Sequence, residues 1–154
     1  MTRRHMFPMA LAMVLGLMLT QGVCAKTESD PKRDRADRVA RRCTRHVNRL
    51  AVRYDRHNRH VASRCVKVIE RQLTNDQPER AARLTEHCKR RISRGANAVV
   101  NRIQKICDRC TKILGKHDAL EQAAALKQAC DEALTKVREA RDTAVAAIDA
   151  ALDL

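Results

Sequence analysis

Apolar positions along this chain recur every eleven residues. In the first long segment Val39, Leu50 and Val61 form one series, and Cys43, Tyr54 and Cys65 form a second. The next segment repeats the spacing with Ile92, Ile103 and Leu114 and with Cys88, Val99 and Cys110. The last repeats it with Ala123, Leu134 and Val145 and with Leu126, Val137 and Ile148. Eleven residues fill three helical turns at about 3.67 residues per turn, so each stripe runs almost along its axis with a slight right-handed drift. Long, nearly straight helices lying side by side are the expected outcome.

Breaks in the pattern set the number of helices. After Pro31 the chain holds one proline, Pro78, and two glycines, Gly95 and Gly115, with no strand-like run. TNDQPE at 74–79 supplies turn residues and a helix start, and in LGKHDA at 114–119 Gly115 suits a C-cap and Asp118 an N-cap. Three helices are predicted, from about Arg35 to Leu73, Pro78 to Leu114 and Asp118 to Ala151, forming one all-α bundle over residues 35–154. Residues 26–34 read as a loose leader. Before them, residues 1–25 carry Arg3 and Arg4, an apolar run from Met9 to Leu19, and the small-residue site Val23, Cys24, Ala25. That is the pattern of a cleavable export signal, its apolar core being shorter than the ~20 residues of a membrane span. A retained anchor is the alternative.

Loss of the signal leaves six cysteines, at 43, 65, 88, 107, 110 and 130. An even number in an exported chain favours paired bridges. In an antiparallel hairpin, facing residues have numbers that add to a constant. Cys43 with Cys110 and Cys65 with Cys88 both give 153, whose midpoint falls inside the TNDQPE turn. The same constant sets Leu50 against Ile103, Tyr54 against Val99 and Val61 against Ile92. Cys107 with Cys130 adds to 237, with its midpoint at the second turn, and sets Ile103 against Leu134 and Ile92 against Val145. Residues three apart point about 60° apart around a helix, so Cys110 reaches one neighbour and Cys107 the other. The predicted architecture is an antiparallel three-helix bundle stapled by three interhelical disulfides. Its layers are Val39 with Leu114 and Ala123, Leu50 with Ile103 and Leu134, and Val61 with Ile92 and Val145. Other uses of Cys107-x-x-Cys110 fit less well. A thioredoxin-like thiol sits at a helix N-terminus after a strand, haem attachment needs histidine where Thr111 stands, and zinc needs a second ligand pair.

Charge then separates the hairpin from the third helix. Residues 26–116 carry 26 basic and 10 acidic side chains, and 117–154 carry 4 and 8. Arg38, Arg42, Arg45, Arg49, Arg53 and Arg56 follow one another at helical steps and form a stripe beside the core face. Guanidinium rows offer bidentate contacts to phosphates or carboxylates. An anionic polymer, an envelope surface or an acidic protein is the expected partner, and a plain solvated face is the competing account. Sequence-specific nucleic-acid recognition is not expected, because the single aromatic of the helical region, Tyr54, is placed inside and no stacking platform remains.

One level interrupts the aliphatic layers. The register brings Asn58, Gly95 and Asp142 together, with His57, His60, Ser93, Arg138 and Arg141 nearby. A polar layer of this kind fixes register in bundles; the alternative is a small-ligand or metal site built from His57, Asn58, His60 and Asp142, with space at Gly95. The chain thus reads as an exported, secreted or periplasmic binding module, without catalysis, cofactor or resident metal, and with no membrane span once the signal is removed.

Overall fold

The computed structural model describes residues 31–153. The expected signal segment, its cleavage site and residues 26–30 of the expected leader lie outside the described residues. Three helices account for nearly all of the rest: α1 (Pro31–Thr74), α2 (Pro78–Gly115) and α3 (Leu120–Ala150), packed antiparallel in sequence order with no strand among the described residues. α1 opens four residues before the expected start, so Pro31–Asp34 belong to the helix rather than to a leader. Arg33 in this first turn reaches Glu121 of α3 at 3.7 Å. None of the three helices is long and apolar enough to cross a membrane.

All three bridges join different helices: Cys43–Cys110 and Cys65–Cys88 tie α1 to α2, and Cys107–Cys130 ties α2 to α3. The two α1–α2 bridges hold their Cα atoms 6.6 and 6.2 Å apart. They lie two eleven-residue units apart on each helix, about 33 Å at 1.5 Å per residue. Nearly equal separations at both ends mean that α1 and α2 run alongside without splaying.

Burial follows the eleven-residue period, and on α1 it selects a series next to the expected one. Ala36, Val47, Asn58 and Ile69 are buried, while Val39, Leu50 and Val61 are half-buried. α2 buries Ala81, Ile92, Ile103 and Leu114, and α3 buries Leu126, Val137 and Ile148. Geometry accounts for the shift on α1. Cys43 points straight at α2, whereas Val47, four residues on and about 40° further round the helix, points at the bundle axis where α3 also meets it. The predicted layers still fall together, the first two in a cluster around Val47 and Leu114 and the third in a cluster around Ile69 and Ile148. No disulfide joins α1 to α3. Small side chains pack there instead, with Ala51, Ala62, Ala140 and Ala144 meeting along one groove.

Both turns close in the same way, the first with Asp76 as its turn residue and the second not as the sequence suggested. Gly115 has no left-handed conformation; Asp76 (φ 56°) and Asp118 (φ 52°) do. The Asp76 N–H donates to Leu73 O and the Gln77 N–H to Gln72 O, at 2.9 Å each. Asp118 N–H to Gly115 O and Ala119 N–H to Leu114 O repeat the pair. These bonds satisfy carbonyls that the helix end leaves free. Asp118 is therefore the turn residue and not a cap of α3, whose N-cap is Ala119 without a side-chain cap.

Two outcomes test this account. A β-carbon at positive φ is unfavourable and glycine removes it. Asp118→Gly should therefore raise stability by up to about 1 kcal/mol, and Asp118→Val should lower it by at least as much, in guanidinium unfolding. Serine pairs replacing Cys43 and Cys110 should cost about 0.5–1 kcal/mol more than pairs replacing Cys65 and Cys88, because the first bridge closes the longer loop even when the second shortens it. Equal costs would contradict the chain-entropy account.

Candidate anion-binding face and the polar layer

The six arginines of the α1 stripe are all exposed, and two of them, Arg42 and Arg45, line different grooves. Arg42 stands on the α2 side, in a groove of about 310 Å³ that it shares with His46, Arg102, Lys105 and Arg109 around the Cys43–Cys110 bridge. No carboxylate lines it. Arg45 stands on the α3 side, in a groove of about 770 Å³ where Asp37 and Glu121 are also present. Arg38 and Arg45 fold back on their own helix, their Nε atoms donating to Asp34 O and Arg41 O at 3.3 and 3.4 Å. Arg42, Arg49, Arg53 and Arg56 make no hydrogen bond or ion pair among the described residues.

Carboxylates are gathered toward α3. Asp37 accepts a hydrogen bond from Gln122 Nε2 at 2.9 Å, and Asp55 pairs with Arg59 on the α1–α3 groove. Lys89 bridges Glu86 of its own helix at 3.3 Å and Asp149 of α3 at 2.9 Å. Its ammonium is held above the usual lysine range by hydrogen bonding to Asp149, then to Glu86. Arg59 is likewise raised, first by its hydrogen bond to Asp55. These are exposed pairs of small energetic weight; their importance is in where they leave the remaining positive charge.

The polar layer is assembled differently from the expectation. Asn58 is buried, and its Nδ2 donates to Ala140 O of α3 at 2.9 Å. Tyr54, one turn earlier, donates its hydroxyl to Ile92 O of α2 at 3.2 Å. Both acceptors are helix carbonyls, whose second lone pair is available. α1 is thus hydrogen-bonded to the backbones of both neighbours between the two hydrophobic clusters. Gly95 opens no ligand space, because a β-carbon there would sit 3.5 Å from Tyr54 Cε2: the ring occupies it. His57 and His60 are exposed, and Asp142 is exposed and paired with Arg141 at 2.7 Å. The structure does not bring His57, Asn58, His60 and Asp142 to one point, and no group of three metal-ligating side chains occurs among the described residues.

Sequence reasoning passed over the groove itself, in which Arg102, Lys105 and Arg109 of α2 and His46 of α1 join Arg42. The signal was there. Arg42 and Arg109 each precede a half-cystine of the same bridge, and the register alone puts them side by side. No family model, curated protein or solved structure matches the chain, so its chemistry rests on these residues.

Tyr54 offers a test, being the only tyrosine in the chain. Burial raises its hydroxyl pKa above the ordinary value of 10.0, with Arg141 opposing and Asp142 adding to the shift. A raised folded pKa on a neutral acid stabilises the fold below the unfolded value and loses that contribution as pH climbs through the folded one. Phenolate absorbance should therefore appear above pH 10 in the folded chain and return to the ordinary midpoint on unfolding. A folded midpoint at or below the ordinary one would contradict the burial of the ring. Asn58→Ala, which leaves a core void and removes the α1–α3 bond, should cost about 1–3 kcal/mol in denaturant unfolding.

Proposed function

We propose that the chain is an exported basic binding module that engages an anionic partner through the arginines of α1, acting by its surface rather than by catalysis. One observation carries this reading: the guanidiniums of Arg42, Arg49, Arg53 and Arg56 are exposed and unpaired among the described residues, although α3 supplies carboxylates elsewhere. Unspent positive charge on a rigid rod is a standing attraction for polyanions, anionic envelope surfaces and acidic proteins. Three disulfides persist in oxidising compartments, which supports a secreted or periplasmic location together with the signal-like N-terminal sequence.

Rigidity matters as much as charge. Staples along the α1–α2 seam hold the arginine-bearing backbone straight, so partner groups meet a fixed row instead of a fluctuating one. Less ordering is then left to the moment of binding.

Affinity for the partner should fall steeply as salt rises, because condensed counterions are released on contact and exposed charges are screened beyond ~8–10 Å. Replacing Arg42, Arg45, Arg49 and Arg53 by Gln keeps helix propensity and leaves the core alone, so helicity should persist while affinity drops by at least roughly tenfold. Full affinity in that variant, or wild-type binding indifferent to salt, would overturn the proposal.

A further inference from the structure

The residue before each half-cystine of the two α1–α2 bridges is basic: Arg42, Arg64, His87 and Arg109. One residue back from a bridge turns a side chain about 100° around its helix. In an antiparallel pair both banks turn to the same side, and Arg42 and Arg109 do share one groove with their bridge. The same face of α1 continues as His46, Arg49, Arg53, His57, His60 and Arg64, at helical steps of four and three. The matching face of α2 reads His87, Arg91, Arg94, Ala98, Arg102 and Lys105 before Arg109. Facing members have numbers adding to 151, so Arg49 stands by Arg102, His57 by Arg94 and His60 by Arg91. All of these side chains are exposed. None of the basic ones makes a hydrogen bond or ion pair among the described residues, and neither face includes an acidic residue.

We infer that the α1–α2 seam is a track for a linear polyanion with closely spaced phosphate groups, gripped from both banks over about 33 Å. It rests on the anion-binding reading above and names where and how the partner lies. Straightness favours a polymer over a membrane, since a chain in the seam meets both banks whereas a flat surface meets only the outermost charges. With Tyr54 buried, the seam has no aromatic to stack bases, so backbone charge is what it recognises.

The experiment uses the oxidised protein and long-chain inorganic polyphosphate, with tripolyphosphate, heparin and phosphatidylglycerol vesicles as comparisons. Two triple variants remove equal charge: Arg91→Gln, Arg102→Gln, Arg109→Gln on the seam, and Lys127→Gln, Lys136→Gln, Arg138→Gln on α3, away from it. All six positions are exposed, and helicity measured alongside confirms that each variant is folded. The seam variant should lose on the order of 30-fold or more in polyphosphate affinity, and the other less than about threefold. Equal losses would overturn the track while leaving general anion binding intact. Absence of any salt-sensitive anion binding would overturn both. Tripolyphosphate or heparin bound as tightly as the long polyphosphate, or vesicles bound with no loss in the seam variant, would also overturn the track.

Discussion

Everything in this molecule depends on the covalent register between α1 and α2. The two bridges are spaced by twenty-two residues on both helices, two full units of the apolar repeat. A stripe that returns to the same bearing every eleven residues can be stapled twice without twisting either helix. Once the pair is aligned, Cys107, three residues from Cys110 on α2, can only look toward the remaining corner, and its bridge to Cys130 sets α3 in place. Such stapling stabilises by restricting the unfolded chain, at about 3–4 kcal/mol per bridge for loops of this size. The core it supplements is thin: many of its buried residues are alanines, and its largest fully buried side chains are aliphatic.

The same register sorts charge. A helix in a triangular bundle has one flank toward each neighbour and one face toward solvent, and in this chain each flank has its own chemistry. Acidic residues of the hairpin that take part in pairs, Asp37, Asp55 and Glu86, meet partners on α3 or along its grooves. The flank between α1 and α2 has arginine, lysine and histidine as its only ionisable residues. Like charges on opposite banks repel, and two covalent bridges across that seam resist the repulsion. The bridges cross the flank on which like charges face one another, which links the means of stability to the binding proposed for that flank.

Asn58 and Tyr54 perform a related task inside. A buried amide or phenol without a partner would cost more than an aliphatic replacement. Here each is directed by the register to a carbonyl of a different helix. Slipping either neighbour would leave these groups unpaired, so the layer favours one alignment over others. The α1–α3 interface, which has no disulfide, benefits most from the Asn58 bond to Ala140.

Helix number, antiparallel order, disulfide partners and the level of the polar layer were legible in the residues, because all depend on periodicity and on the arithmetic of facing positions. The eleven-residue repeat sets bearing along a helix, and the cysteines set height. What the repeat could not supply was rotation: Val39, Leu50 and Val61 carry the same period as Ala36, Val47, Asn58 and Ile69, and only contact with α3 decided which series lies on the axis. Glycine seemed the natural left-handed residue at the second turn, yet the loop's length and its hydrogen bonds put Asp118 there. The placing of Arg42 and Arg45 in different grooves was equally invisible, since steps of three and four put both on one broad face until a neighbouring helix stands on each side. Local order follows from each chain segment alone; which side of a helix becomes interior, seam or surface depends on where the other two helices stand.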